Sequence, residues 1–366
     1  MRPLLAVPGV LLILIIIWDA FETVILPRRV TRRIRLATFF YRSTWSPWSF
    51  IAGKITSKRR REKFLALFGP LSLLILLGIW AAGLIVGYAI VQWSIRSQLN
   101  VGNDAVDFTV YLYLSGVTFF TVGYGDVAPV SPMARGIEVI EAANGFGLLA
   151  IVIGYLPVLY QAFSRREVSI SLLDARAGSP SSAAELLRRQ QENGSLSELG
   201  PLLAEWERWS AELLESHISY SVLCYFRSQH DNQSWLSALT TVLDTCALIM
   251  VGVDDAPASQ ARLTFAIARH AVVDIAQVFE TAPTTKQCCL DRLSRADLTR
   301  LRELLAKNRI DFQDGEESDR RLLTYREMYE PYVFALSERL MMPLPPWILP
   351  ENAIDNWKTS AWGRLQ

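Results

Sequence analysis

The chain has 366 residues, 51% of them apolar, and a formal net charge of +1. Its length suits two domains, and four cysteines without framework spacing exclude a disulfide scaffold and point to a reducing compartment. The near-neutral total hides two different halves: 15 basic and 8 acidic residues through Ser164, a balance of +7, then 22 basic and 28 acidic from Arg165 onward, a balance of −6.

Three apolar stretches, residues 3–26, 65–93 and 137–163, are long enough to cross a bilayer core of roughly 30 Å, which takes about 20 helical residues. In the first, residues 10–17 resemble the apolar region of a signal peptide. Trp18, Asp19 and Phe21 stand where small cleavage-site residues belong, and the run continues to Leu26, so an uncleaved span is expected. Asp19 and Glu22 share one helical face and are expected to pair with nearby basic side chains.

Residues 28–63 hold twelve Lys or Arg against one acid, Glu62. This positive-inside signal puts the loop in the cytoplasm, the amino terminus outside, and everything after the third span in the cytosol. Arg28, Arg29, Arg32, Arg33 and Arg35 follow Pro27 and precede an aromatic group of Phe39, Phe40, Tyr41, Trp45 and Trp48. Voltage-sensing arginines sit within an apolar span. These fit membrane-surface anchoring through anionic headgroups instead.

Between the second and third spans, residues 106–120 suit a helix, with Asn103, Asp104 or Asp107 available to cap it. Then comes Thr121, Val122, Gly123, Tyr124, Gly125 and Asp126. The two glycines can adopt backbone angles closed to residues with a Cβ. The string resembles the selectivity filter of potassium channels. Residues 65–166 as a whole resemble the bacterial two-transmembrane pore-loop channels, here with an extra amino-terminal span and a helical cytosolic domain.

That resemblance implies an all-α membrane protein in which oxygens of Thr121, Val122, Gly123, Tyr124 and Gly125 replace the water shell of K+. K+ is then the permeant ion, with no organic cofactor. One filter string per chain implies a homotetramer around the ion path, in the inner membrane of a bacterium. Asp126 would hydrogen-bond the loop from behind or hold charge at the mouth. Gly145, twenty residues after Gly125, is in the position of a gating hinge, with Gly147 and Gly154 as competitors. Close helix packing is the alternative reading of all three. Pro157 is a candidate bend near the inner mouth. Glu138 and Glu141, on one side of the third span, would brace the filter or the helix before it, with Arg135 or vestibule water as partner.

The expected domains are residues 1–27 (first span), 28–63 (basic loop), 64–164 (pore domain) and 165–366 (helical cytosolic domain). After a Gly, Ser and Pro-rich turn at 177–182, helical patterns cover 183–191, 196–229, 234–251, 257–281, 295–308 and 320–340, the last bent at Pro331. Residues 235–253 are nearly long enough to span, but Thr240, Thr241 and Asp244 favour a buried core helix. The strand, Gly-x-Gly-x-x-Gly, helix order of a nucleotide-binding regulator is missing. The acidic stretch 311–319 places Glu316 where a calcium loop needs glycine. His217, Cys224 and His230 are too loosely spaced for a zinc site, Cys288 and Cys289 are an adjacent pair, and the polar run 227–233 is a contact surface or a connecting turn. No acid-base or nucleophile constellation suggests an enzyme. A gated potassium channel is the expected function. The alternatives are a membrane-anchored scaffold with a non-conducting pore and a subunit of a potassium uptake system.

Overall fold

The computed structural model of the protein describes residues 2–26, 36–101, 106–230, 232–284 and 292–350. Arg28, Arg29, Arg32, Arg33, Arg35, Asn103, Asp104, Cys288 and Cys289, named above, lie outside those residues. The protein is an all-α membrane protein with a helical carboxy-terminal region. It divides into two compact units: Met1–Thr56 with Lys63–Gln161, and Ser57–Glu62 with Ala162–Gln366.

In the first unit, α1 (Ala6–Ala20) continues through one wider turn to Ile25 and packs on α3 (Lys58–Ser94). Small residues make the contact. A Cβ at Gly9 would fall 2.9 Å from the Gly87 carbonyl oxygen, and one at Gly87 would fall 2.7 Å from Ile13. Gly83 and Gly87 form a Gly-x-x-x-Gly pair that lets the backbones approach. Asp19 is 4% exposed and accepts from the Trp80 indole N–H at 3.0 Å and the Ala37 amide at 3.3 Å, while the nearby basic side chains expected as partners, Arg28 to Arg35, lie outside the described residues.

The basic loop contains a helix that the sequence did not advertise, α2 (Leu36–Gly53), which carries Pro47 in its interior. Tertiary contacts hold it. Trp45 meets Phe68 edge-on at 4.8 Å, and Trp48 stacks on Phe64 at 4.4 Å, while Phe39, Phe50 and Ile51 face outward. α4 (Phe108–Phe119) and α5 (Pro132–Ala177) complete the membrane helices. Among the described residues, four helices are long and apolar enough to cross a membrane, and three of them keep most of their apolar window outward: 33% of it is buried in Ala6–Ile25 and Lys58–Ser94, 22% in Pro132–Ala177.

The fourth, α8 (Trp235–Gly252), has 94% of that window buried inside the second unit. Its apolar surface is covered by α6 (Ala183–Asn193), α9 (Ala258–Val278), α11 (Glu316–Glu327) and α12 (Glu330–Leu340), with α7 (Leu199–Ser219) packed on α9 and α10 (Arg295–Lys307) on α6. Asp244, in the middle of α8, takes the Arg292 guanidinium and the Tyr329 hydroxyl, and Glu330 bridges Arg292 at 3.4 Å and Arg326 at 3.1 Å. Opposite charges thus compensate one another in the core.

α7 stops at Ser219 instead of running toward 229. Tyr220 leaves helical geometry there, with φ −127° and ψ +73°, and a 3-10 turn, Ser221–Tyr225, carries Val222, Leu223, Cys224 and Tyr225 into the core. The break near Pro331 falls just before it, which leaves the proline in the first turn of α12 where its missing N–H costs nothing. α5 outruns its expected end at 163 because Ile170, Leu173 and Ala177 keep a helical spacing of buried positions.

Candidate functional site

Residues 121–126 form an exposed loop at the end of α4. Asp107 caps that helix, its carboxylate accepting from the Thr109 amide at 2.9 Å and the Val110 amide at 3.2 Å. At the other end the Val122 amide returns to the Val117 carbonyl at 2.8 Å, so the helix runs directly into the loop. Thr121, Gly123 and Gly125 have φ of +55°, +62° and +79°. Val122 and Tyr124 between them stay on the ordinary side. Alternating backbone hand turns successive carbonyls toward one side, where a strand would alternate them. Thr121 adopts this conformation despite its branched Cβ, a strain that the surrounding structure has to hold.

Three sets of contacts do so. The Tyr113 hydroxyl donates to Asp126 Oδ2 at 2.8 Å, tying the far end of the loop to α4. Glu138 on α5 accepts from the Thr118 hydroxyl and, at 3.2 Å, from Gln92 Nε2 on α3. Ser115 on α4 joins the Ile85 carbonyl of α3, at 2.7 Å, to the Glu141 carboxyl of α5. Each carboxyl therefore stitches three helices together behind the loop. Glu141 is fully buried, and its second oxygen has no partner among the described residues. Arg135, one of the two partners expected beside vestibule water, donates to the Pro129 carbonyl at 3.2 Å.

A two-residue antiparallel pair, β1 (Leu99–Asn100) with β2 (Ala128–Pro129), joins the segment after α3 to the segment that follows the loop. Gly145 lies against the end of α4, where a Cβ would fall 2.1 Å from the Phe119 carbonyl oxygen. Gly147 and Gly154 have nothing within 4 Å of such an atom. Pro157 is inside the unbroken α5. The structure thus brings Asp126, Glu138, Glu141 and Gly145 to the loop and leaves Gly154 and Pro157 farther along α5. Gln92, Thr118, Ser115 and Tyr113 were missed by sequence reasoning. Gln92 carried the available signal, a polar side chain near the end of an apolar run.

In the second unit His217 and Cys224 are buried, and no group of three His, Cys, Asp or Glu is arranged to hold a metal ion among the described residues. Burial pushes the Cys224 thiol up, despite the opposing Arg166 guanidinium, which makes it a packing residue.

The family profile described as "Ion channel" matches residues 74–161. The uncharacterized membrane protein YdjJ of Bacillus subtilis (strain 168) is 22% identical over 196 residues, covering 53% of this chain and 56% of that protein. Protein LctB of Geobacillus stearothermophilus is 30% identical over 84 residues, covering 20% of this chain and 62% of that protein. The chain thus spans about three fifths of the length of these curated relatives. No solved structure matches it.

Proposed function

We propose that the protein, whose residues 74–161 match the ion-channel profile, is a homotetrameric, passively conducting K+ channel with residues 121–125 as its filter. The observation that carries this reading is the alternating backbone hand at Thr121, Gly123 and Gly125, which aims consecutive carbonyls one way. A single loop supplies one quarter of an ion cage. Val122 and Tyr124 are 48% and 73% exposed in the single chain, apolar and aromatic surface that three neighbouring copies would cover.

Conduction then proceeds by exchange of water for carbonyl oxygens and single-file passage. Asp126, Glu138 and Glu141 support the filter from behind, and α5 opens below it with Gly145, Gly154 and Pro157 as the candidate bending points. The carboxy-terminal unit is cytosolic, beyond the inner membrane, and modulates opening.

Flux from liposomes tests this. Purified protein should pass K+ in preference to Na+, and Gly123→Asp should abolish the flux while the tetramer keeps its size. A wild type that passes neither ion, or both equally, overturns the reading.

A further inference from the structure

The segment between α7 and α8 carries polar groups, at Leu223, Phe226, Arg227, Ser228, Asn232 and Gln233, that meet α5 and α3. Arg166 on α5 donates from Nη1 to the Leu223 carbonyl and from Nη2 to the Phe226 carbonyl, both at 2.9 Å, and its side chain is 3% exposed. Its guanidinium lies 5.0 Å from the Phe163 ring, which in turn packs 5.6 Å from Phe226. Farther along the same helix, Glu167 accepts from Ser228 Oγ at 3.2 Å and Asp174 accepts from Gln233 Nε2 at 2.6 Å. The loop therefore grips α5 over three turns.

The same loop holds the beginning of α3. Arg227 Nη1 lies 3.6 Å from Glu62 Oε2, and Lys58 Nζ donates to Asn232 Oδ1 at 2.7 Å. Positions 58 and 62 are one helical turn apart on one face. Arg227 is itself anchored from behind, donating to the Met341 carbonyl at 3.1 Å and to that of Leu340, at the end of α12. Two helices, α3 and α5, are thus bonded to one short loop.

We propose that residues 223–228, with Asn232 and Gln233, form a strap that couples the lower end of α5 to the base of α3, with Arg166 and Arg227 as positioning residues for the gate. A helix transmits displacement along its axis. Any splaying of α5 that carries Arg166 away from the loop must break buried charge-assisted bonds, or take the loop, Arg227 and the end of α12 with it. The helices of the carboxy-terminal unit thereby set the cost of opening. Ordinary structural stapling is the competing explanation, and Glu62 separates the two. Its side chain is 24% exposed and belongs to α3, so neutralising it spares the core of α7 to α12 while cutting the link.

The proposal rests on the channel reading above, and a double-mutant cycle on the full-length protein in liposomes tests it. Glu62→Gln and Arg227→Gln should each change the initial K+ flux rate by about threefold or more in the same direction, the double variant no further, because both remove one link. K+ over Na+ preference should stay as in the wild type. If Arg227→Gln does not assemble, Lys58→Met and Asn232→Ala replace the pair in the same cycle. Flux within roughly twofold of wild type in assembled single variants, or effects that multiply in the double, overturns the strap. Absence of K+ flux from the wild type overturns the channel reading instead, and the strap with it.

Discussion

Gly145 lacks room for a side chain, since a Cβ would meet the Phe119 carbonyl oxygen at 2.1 Å. That oxygen belongs to the last residue of α4, just before the candidate filter, so the glycine serves contact between α5 and the filter's supporting helix. Gly145→Ala should destabilise the solubilised protein by about 1–3 kcal/mol, read from its melting curve, because backbone has to move to admit the methyl group. Gly154→Ala meets nothing within 4 Å in its own chain and should leave that melting curve unchanged. Equal effects of the two would contradict the packing argument. Asp19 offers a second residue-scale test. Asp19→Ala strands the Trp80 indole N–H and the Ala37 amide, a loss of about 1–3 kcal/mol, whereas Asp19→Asn keeps an acceptor and should lose less.

At the scale of elements, α4 depends on its ends. Asp107→Ala removes the acceptor for two amides and should cost about 1 kcal/mol of helix stability, seen as a lower melting temperature with diminished K+ flux. This helix was legible from sequence as an apolar run that ends at the Thr121 to Asp126 string, whereas its start was open among Asn103, Asp104 and Asp107, and the structure gives Asp107. Helix α2 was not legible. Its aromatic and polar residues with Pro47 inside give weak periodicity, and only Phe64 and Phe68 on α3 turn Trp45 and Trp48 into a buried face. Likewise, Glu138 and Glu141 could be singled out as carboxyls in an apolar run. Their partners Thr118, Gln92 and Ser115 could not, since each lies on a different helix.

Across the whole molecule, the carboxy-terminal unit contains a charged centre that titrates near neutrality. Burial pushes the Glu330 carboxyl up to about 7, outweighing Arg292 and Arg326, and Asp244 adds to the rise. Between its ordinary 4.5 and about 7 the folded protein holds a proton that the unfolded chain has lost. The group's contribution to stability is therefore complete below the lower value and is lost as pH rises to the higher one, a difference of roughly 3 kcal/mol at most. Thermal melts followed by circular dichroism should show that decline in the wild type and a flatter profile in Glu330→Gln. His217 acts in the opposite sense. Burial first, then the Arg166 charge, hold its imidazole well below 6.5, so its contribution is present above that pH and is lost as pH falls below it. With Nδ1–H donating to the Leu213 carbonyl at 2.9 Å, Nε2 is left to accept from Arg166.

The sequence by itself determined the membrane helices, the filter-like string and the helical character of the second half. These follow from local quantities: apolar run length, glycine at fixed positions, and 3.6-residue periodicity. Tertiary structure decided what packs on what. It put Gly145 against Phe119, gave Glu138 and Glu141 hydroxyl and amide partners, buried α8 among its neighbours, and gathered Lys58, Glu62, Arg166 and Asp174 onto one loop. Those pairings join residues far apart in the chain, and periodicity within a segment carries no record of which distant face it will meet.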